Sequence, residues 1–304
     1  MERLLITGIS SGQGRLLASR VGGDCEITGV DVVPWEGHPK NIEVHTVDLL
    51  KRKFEDIFRQ VKPDAIVHLG LIRHFRSDPR RRHEVNVLGS KRVLECAARY
   101  GAKQLVVLTS SYVYGALPEN PYFLDEDSPL NASRTYPEIR DLAELDGLLT
   151  THLWQHPDMA TVILRPVNTL GSHVRSAIGS YLKLGYVPTI LGFNPMTQFI
   201  HEEDLTEAIA LALEKKLRGI FNVTGPGEVP IKLAITETGN TPVPLPEFVA
   251  RGVFGRLFDL GLFHVPPGAI DFIKYPCTVS GKRFLAATGF KPLFTLDETF
   301  ASIR

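Results

Sequence analysis

The first half of the chain alternates short apolar runs with longer amphipathic ones, and this alternation constrains the fold more than any other feature. The apolar runs have the length of β-strands, and the amphipathic runs have the apolar spacing of α-helices. Strands that alternate with helices form βαβ units with right-handed crossovers, so the strands lie parallel with helices on both faces of the sheet. The sequence therefore predicts an α/β fold with a doubly wound parallel sheet.

The predicted strands are Leu4–Ile9, Glu26–Val32, Val44–Leu49, Ala65–Gly70, Gln104–Ser110 and Thr161–Val167. The predicted helices between them are Gln13–Val21, Phe54–Val61, Glu84–Tyr100 and Tyr136–Gln155. After about residue 170 Pro and Gly become frequent, although one strong helix (Asp204–Leu217) and one short strand (Ile220–Thr224) follow. We expect a main domain over residues 1–170 and a smaller, irregular substrate-binding region over residues 171–304, with segments that return to the main sheet.

The composition argues against several classes of protein. The 34 basic side chains balance 34 acidic ones, so the chain lacks the basic excess of a protein that binds nucleic acid. The three cysteines, at positions 25, 96 and 277, provide neither a disulfide framework nor a CxxC pair, and the histidines lack HxxxH or HExxH spacing, so we assign no metal. The sequence shows no signal peptide and no membrane-spanning run, and we expect a cytoplasmic protein.

A glycine-rich turn follows the first predicted strand and opens the first predicted helix, in the sequence Thr7-Gly8-Ile9-Ser10-Ser11-Gly12-Gln13-Gly14. Glycines at positions 8, 12 and 14 let the backbone turn tightly and come close to a pyrophosphate. The N-terminus of the helix then offers free N–H groups and a partial positive charge to that group. The turn opens a βαβ series, which favours a dinucleotide-binding site over an ordinary structural turn.

Two aspartates at the ends of the next predicted strands extend this site. Asp31 lies 17 residues after Gly14, where a carboxylate can accept both ribose hydroxyls of adenosine and would repel a 2′-phosphate. This position favours NAD over NADP, and an ordinary turn aspartate is the alternative. Asp48 and Leu49 close the third strand, where Asp48 either holds the adenine amino group or caps the helix that starts near Lys51.

A second group of polar residues follows the fifth predicted strand, in the run Leu108-Thr109-Ser110-Ser111-Tyr112-Val113-Tyr114-Gly115. About 25 residues later, Tyr136-Pro137-Glu138-Ile139-Arg140 stands at the predicted start of a helix. Together with the glycine turn, these motifs resemble the extended short-chain dehydrogenases/reductases, the group that contains the NAD-dependent epimerase/dehydratases such as UDP-glucose 4-epimerase. Further landmarks of the resemblance are Asp31, Asp64–Gly70, Asn86–Gly89, Leu164–Asn168, Phe199–Asp204 and Phe221–Val223.

The resemblance implies a Rossmann fold, NAD as cofactor, and a homodimer formed through helices Glu84–Tyr100 and Tyr136–Gln155. It implies that Ser110 orients the substrate oxygen, with Ser111 as the second choice, and that Tyr136 is the general acid/base. Asn168 and Ser111 are expected to contact the substrate, although Asn168 could instead cap the end of its strand. The residues expected to contact NAD are Gly8, Ser11, Gly12, Gln13, Gly14, Asp31, Asp48, Leu49, Leu69, Gly70, Asn86, Tyr136, Arg140 and Val167.

The main departure from the family pattern is Arg140, which replaces a lysine four residues after Tyr136. A free phenol has a pKa of ~10 and is a poor base at neutral pH. A cation ~6 Å away would favour the phenolate by ~3 kcal/mol at an effective dielectric constant of ~20. Arginine supplies that charge but cannot release a proton, so Arg140 either sustains the redox chemistry or weakens it.

The second half of the chain departs from the pattern of nucleotide-sugar enzymes. Thr197 stands where those enzymes have one diphosphate-binding arginine, and Phe272–Pro276 lacks the other. The apolar stripe Phe248–Phe263 either lines a hydrophobic pocket or is ordinary helix core. An arginine cluster either attracts an acidic ligand or is a solvated loop; its members are Arg73, Arg76, Arg80, Arg81 and Arg82.

The sequence therefore predicts an NAD-dependent oxidoreductase or epimerase that acts on a small molecule by hydride transfer at a hydroxyl or keto carbon, with a nucleotide sugar as one candidate substrate. One alternative is a dehydrogenase that acts on a hydrophobic alcohol or ketone. The other alternative is a sensor or interaction protein that binds NAD(H) with little or no catalysis.

Overall fold

The structure, a computed structural model, describes residues 3–23, 25–73, 78–132, 139–260 and 266–304. Its centre is a seven-stranded sheet in which every pairing is parallel. In sheet order the strands are β10 (Gly219–Val223), β6 (Ala160–Pro166), β5 (Gln104–Leu108), β4 (Ala65–His68), β1 (Arg3–Thr7), β2 (Glu26–Asp31) and β3 (Ile42–Thr46). The predicted doubly wound parallel sheet is confirmed.

The first half of the chain supplies five of the α-helices: α1 (Gly12–Val21), α2 (Arg52–Val61), α3 (Pro79–His83), α4 (Ser90–Arg99) and α5 (Arg140–Gln155). The second half supplies α6 (Ala177–Leu182), α7 (Glu202–Glu214), α8 (Ile231–Glu237), α9 (Glu247–Asp259), α10 (Asp271–Lys274), α11 (Lys282–Thr288) and α12 (Leu296–Ala301). Short 3₁₀ segments cover Ser111–Tyr114 and Pro267–Ile270. Among the described residues, no helix combines the length and apolar character that a bilayer crossing requires.

Side chains alternate between two apolar cores, one on each face of the sheet. On β1, Leu4 and Ile6 join the core that contains α1 and α7, whereas Leu5 joins the core that contains α2, α4 and α5. On β5, Val106 and Val107 face opposite cores in the same way. This period of two is what a parallel sheet covered on both faces requires.

The predicted strands are longer than the observed ones at their carboxyl ends, which is the edge where ligands bind such sheets. β1 ends at Thr7, β4 at His68 and β5 at Leu108, each two residues before the predicted end. The apolar pattern continues beyond the last pairing because the chain stays buried while it turns out of the sheet. The predicted helix Glu84–Tyr100 begins with a π-helical turn over Glu84–Gly89, a wide turn that is frequent at functional sites.

The second half of the chain contains two small sheets and one strand of the main sheet. The small sheets are β11 (Glu228–Pro230), β9 (Met196–His201) and β7 (Asn168–Leu170), and β12 (Thr241–Leu245) with β8 (Tyr186–Ile190). β10 lies beside β6 at the edge of the main sheet, and α7 packs against α1. Segments of this half therefore contact the main sheet directly.

A buried ion pair between Arg165 on β6 and Asp146 on α5 joins the sheet to the helix that follows the Ser110 segment. The guanidinium donates two hydrogen bonds to the carboxylate, at 2.9 and 2.5 Å, and both side chains are almost fully buried. Thr109 at the end of β5 donates to the same carboxylate at 3.1 Å. Although burial would lower the pKa of Arg165, its bonds to Asp146 raise that pKa, so the guanidinium stays charged.

The network continues from Arg165 into the second half of the chain. Its guanidinium also donates to the Tyr114 hydroxyl at 2.7 Å, and Tyr114 donates to the Asn222 carboxamide at 2.8 Å. The backbone N–H of Asn222 in turn donates to the Glu126 carboxylate at 2.9 Å. Because these groups are buried, each partner satisfies another that water cannot reach.

We expect Arg165→Met to lower the free energy of unfolding by about 3–5 kcal/mol, because it leaves the Asp146 carboxylate buried without its counter-charge. Urea denaturation followed by circular dichroism measures the change. The matched control is Arg59→Met, since Arg59 forms an exposed pair with Asp56 and should change stability little. Equal losses in the two variants would contradict the role given to the buried pair.

Candidate functional site

A cavity of about 430 Å³ opens at the carboxyl ends of β1, β2 and β4, and we call it the strand-end cavity. Ligands bind open α/β sheets at this edge, where the strand order reverses between β1 and β4. Its lining includes Gly8, Ser11, Asp31, Asp48, Leu49, Leu69, Gly70 and Arg81. Seven of these eight residues were predicted to contact the cofactor, and Arg81 was not.

The glycine turn brings three backbone segments closer together than side chains would allow. Gly8 has a φ of +75°, and a Cβ there would lie 2.7 Å from the Gly70 nitrogen. A Cβ on Gly14 would lie 2.4 Å from the Gly8 carbonyl oxygen. Ser11 caps α1, because its Oγ accepts from the Gly14 N–H at 3.1 Å. The turn therefore presents backbone, rather than side chains, at the N-terminus of α1.

A loop from the second half of the chain covers the same helix end. A Cβ on Gly12 would lie 2.0 Å from the carbonyl oxygen of His173. The buried Glu202 carboxylate holds this loop, since it accepts the backbone N–H of His173 and, at 2.7 Å, that of the residue after it. Gln13 uses its side chain elsewhere, donating to the Thr206 hydroxyl at 2.7 Å. The Gln13 side chain is thus held by α7, and its buried Oε1 has no hydrogen-bond partner among the described residues.

The Asp31 carboxylate sits at the end of β2 and is held by backbone groups. One oxygen accepts the Ser10 N–H at 3.0 Å, and the other accepts the Val33 N–H at 3.1 Å. Each carboxylate oxygen has a second lone pair, so both can accept a further hydrogen bond. This geometry fixes Asp31 at the cavity wall with acceptor capacity for a ribose.

Asp48 forms an ion pair with Arg81 across the same cavity. The Arg81 guanidinium lies 2.6 Å from one carboxylate oxygen, and the Leu50 N–H donates to the other at 2.9 Å. Burial alone would raise the pKa of Asp48. The hydrogen bonds from Arg81 and Leu50 lower the pKa by more than burial raises it, so the pKa is below its ordinary value. Lys51, rather than Asp48, is the N-cap residue of α2, and it makes no side-chain cap bond.

Sequence reasoning did not place Arg81 at the strand-end cavity. The arginine cluster was a visible signal, but the sequence left open whether it was a solvated loop. Arg81 reaches Asp48, which is 33 residues earlier, only because α3 lies beside the segment that follows β3. The contact is tertiary, so no local pattern predicts it.

A buried histidine supports the floor of the strand-end cavity. His68 at the end of β4 places Nδ1 2.5 Å from the Thr7 hydroxyl and Nε2 2.7 Å from the Ser90 hydroxyl. Thr7 also accepts the Gly70 N–H at 3.3 Å. The three side chains thus join the ends of β1 and β4 to α4, directly beneath the backbone that lines the cavity.

Asn86 was predicted to contact the cofactor, and the structure shows its side chain fully occupied within the protein. Its carboxamide accepts the Ile72 N–H at 2.7 Å, donates to the Ile72 carbonyl at 2.9 Å and donates to the Asp141 carboxylate. Arg82 lies 3.4 Å from the same carboxylate. Asn86 is completely buried, so it positions the cavity wall at Ile72 and ties that wall to the start of α5.

The predicted catalytic residues are described only in part. Ser110 is half-buried at the end of β5, and its Oγ accepts the Tyr112 N–H at 3.2 Å. Ser111 is buried, and Arg140 is exposed at the first residue of α5. Tyr136 lies outside the described residues, so the structure gives no distance from Tyr136 to Arg140 or Ser110. Val167 is buried after β6, where its N–H donates to the Val223 carbonyl at 3.0 Å.

A second, smaller cavity of about 40 Å³ lies beyond the end of β6, and we call it the Tyr112 cavity. Tyr112 donates a hydrogen bond to the Asn168 carboxamide, which itself donates to the Gln198 carbonyl at 3.0 Å. The Tyr112 ring packs 4.4 Å from the Phe272 ring, centroid to centroid. Burial raises the pKa of Tyr112 well above its ordinary value, so its phenol stays neutral. Tyr112 was not predicted as a site residue.

Comparison with known proteins agrees with this architecture. Residues 4–224 match the model of the NAD dependent epimerase/dehydratase family. An uncharacterised protein of Mycobacterium tuberculosis is 26% identical over 218 residues, which are 71% of this chain and 58% of that protein. The chain thus spans less than two thirds of that relative. The 3-diazoavenalumate denitrifying reductase of a Streptomyces species is 29% identical over 218 residues, with 67% and 69% of the two chains covered.

Solved structures share the fold over the whole chain. UDP-glucose 4-epimerase of Thermus thermophilus, solved in complex with NAD, has a TM-score of 0.78 at 22% identity and covers 99% of this chain and 97% of its own. The Bordetella bronchiseptica enzyme WbmH, in complex with NAD⁺, has a TM-score of 0.79 at 16% identity and covers 99% and 96%. At these identities the likeness establishes the fold.

We expect His68 to make the protein less stable in acid. Burial lowers the pKa of His68 to about 3, whereas an unfolded histidine titrates near ~6.5. Below pH ~6.5 the unfolded chain binds a proton that the folded chain excludes, so stability falls as the pH falls towards 3. Between pH 7 and pH 5 this loss is about 2 kcal/mol, and His68→Gln should remove it from the pH dependence of urea denaturation.

Ser90→Ala is the control for that experiment, because it removes one hydrogen bond but keeps the imidazole. It should lower stability by similar amounts at the two pH values. A His68→Gln variant that loses as much stability on acidification as the unmodified chain would show that His68 is not the group responsible.

Proposed function

Because the chain belongs to the NAD-dependent epimerase/dehydratase family, we propose that it is an NAD-dependent enzyme that transfers a hydride at a hydroxyl or keto carbon of a small molecule. The observation that carries the proposal is the place of Ser110. Ser110 follows β5, and β5 lies between β4 and β6 in the sheet. The chain after β4 lines the strand-end cavity, and the chain after β6 reaches Asn168 in the Tyr112 cavity. A serine between a cofactor cavity and a substrate cavity is placed to hold the reacting oxygen.

The residues of the strand-end cavity fit NAD. Because Gly8, Gly12 and Gly14 carry no side chains, backbone alone lies at the N-terminus of α1, whose positive end favours a pyrophosphate. Asp31 offers acceptors to the adenosine ribose, and its charge opposes a 2′-phosphate. The Asp48–Arg81 pair borders the adenine end. When bound, NAD supplies the acceptor for the hydride.

In the proposed oxidation, the protein handles the proton and the oxygen. The Tyr112 N–H occupies one lone pair of the Ser110 hydroxyl, which leaves the hydroxyl hydrogen for the substrate oxygen. The Tyr136 phenolate takes the proton of the substrate O–H, the C–H electron pair leaves as hydride, and a C=O bond forms. The positive charge of Arg140 favours the phenolate. The reverse sequence reduces a ketone.

A reductase that releases its cofactor is a second candidate. The relative from Streptomyces is named as a reductase, and it matches this chain over about two thirds of each protein. An epimerase would instead return the hydride to the same molecule. Both reactions use Ser110, Tyr136 and Arg140 in the same roles, so the two candidates differ in whether NADH leaves.

We also propose that two copies pair through α4 and α5. These helices contact each other on one face of the sheet. Leu88, shortly before α4, is 45% exposed, and Trp154 near the end of α5 is 71% exposed. Apolar surface of this kind on adjacent helices supports an interface between copies.

We expect Tyr136→Phe to lower the rate of hydride transfer at least about 100-fold, because the phenol is the proposed proton carrier. Affinity for NAD should change little, since the ring and its surroundings remain. Arg140→Lys should retain activity because it keeps the positive charge. The measurements are NADH absorbance with a panel of alcohols and ketones, and NAD binding by calorimetry.

Ser302→Ala, at a half-buried serine that lines neither cavity, is the matched control for Ser110→Ala, which should lose activity if Ser110 orients the oxygen. Full activity in Tyr136→Phe would contradict catalysis by the phenol and favour the alternative in which the protein binds NAD(H) without turnover.

We expect Asp31→Ser to reduce the preference for NAD over NADP by at least about tenfold, because it removes a negative charge beside the ribose 2′ position. The ratio of the two dissociation constants, measured by calorimetry, tests this. Asp56→Ser is the control, since Asp56 lies on α2 and does not line the strand-end cavity. An unchanged ratio in Asp31→Ser would show that another residue sets the preference for NAD over NADP.

A further inference from the structure

The described lining of the Tyr112 cavity is uncharged. None of its described residues carries a charge; they are Tyr112, Asn168, Ala177, Ile178, Tyr181, Met196, Thr197, Ile231, Ala269, Phe272, Ile273 and Cys277. Burial raises the pKa of Cys277 to about 12, so its thiol is also neutral. A charged ligand group would therefore lose its water here without gaining a counter-charge.

Tyr112 lines the cavity and is held in place there. The phenol is held by Asn168, and Asn168 is held by the Gln198 carbonyl. Phe272 packs against the other side of the ring. The remaining volume of about 40 Å³ holds roughly three waters, which is the size of a compact group with a few non-hydrogen atoms.

One cation next to the lining along the chain is engaged elsewhere. Lys274, which follows the lining residues Phe272 and Ile273, donates to the Glu247 carboxylate at 2.8 Å. Its ammonium also lies 4.9 Å from the centre of the Phe193 ring. Lys274 is therefore engaged by a carboxylate and an aromatic face rather than available to a phosphate.

One polar group of the lining lacks a partner. The Thr197 hydroxyl is buried and has no hydrogen-bond partner among the described residues. An unpaired buried hydroxyl is unfavourable, and such groups in native proteins usually bind something. An uncharged ligand oxygen is the partner that fits a wall of uncharged side chains.

We propose that the substrate is a compact, uncharged alcohol or ketone that places its carbon chain in the Tyr112 cavity, with Tyr112 setting the size limit. This inference rests on the proposed hydride transfer at Ser110. A nucleotide diphosphate does not fit, because it carries several negative charges and the described lining offers no cation. Thr197 and Asn168 supply the polar contacts to the substrate.

Binding is tested without turnover by saturation-transfer NMR on the NAD-loaded protein, with 2-butanone and UDP as probes. We expect a signal for 2-butanone and none for UDP. The 2-butanone signal should weaken in Thr197→Val. A signal from UDP, alone or together with 2-butanone, would overturn the inference, and so would the absence of a 2-butanone signal.

Turnover separates this inference from the proposed function. NADH oxidation by 2-butanone without conversion of UDP-galactose supports both. Conversion of UDP-galactose would leave hydride transfer standing and overturn the substrate class. Binding of 2-butanone with no oxidation of NADH by any ketone would support the cavity's ligand class and count against the proposed function.

The size limit is tested by Tyr112→Ala, which should raise kcat/KM for cyclohexanone relative to 2-butanone by at least about tenfold. Tyr112→Phe keeps the ring and should keep the original preference. Tyr186→Ala is the matched control, because Tyr186 is 78% exposed on β8. An unchanged ratio in a folded Tyr112→Ala protein would show that Tyr112 does not set the limit.

Discussion

The buried ion pair of Arg165 and Asp146 is the interaction on which the arrangement of the site depends. It holds α5 against β6, and through Thr109 it fixes the end of β5 just before Ser110. Through Tyr114 the same guanidinium reaches Asn222 on β10. A buried charge tolerates few geometries, because each lost contact leaves an unsatisfied group. The serine, the helix and the second half of the chain are therefore held in one relative position.

Several polar residues near the strand-end cavity act by holding backbone in place. Asn86 fixes Ile72, Glu202 fixes the loop at His173, and His68 links the ends of β1 and β4 to α4. Their side chains are satisfied within the protein and have little capacity left for a ligand. The strand-end cavity is consequently lined by the backbone of the glycine turn, by aliphatic side chains and by the carboxylates that end β2 and follow β3.

Much of the fold and part of the site could be predicted from the sequence. The alternating pattern predicted the order of strands and helices because local periodicity reflects which faces are buried. The glycine turn and Asp31 were predicted because each is recognised by where it stands along the chain. The turn follows the first strand, and Asp31 ends the second. Arg81 and Tyr112 were missed, since their contacts with Asp48 and Asn168 join segments that are 33 and 56 residues apart.

The sequence by itself determined the parallel sheet, the glycine turn at its edge and the family to which the chain is similar, because these follow from spacing along the chain. Only the tertiary structure decided that Asn86 is used internally, that Arg81 faces the strand-end cavity and that Tyr112 narrows the second one. Those outcomes depend on which groups, distant in sequence, come into contact in the folded protein. Burial strengthens these polar contacts and makes an unpaired polar group costly in free energy.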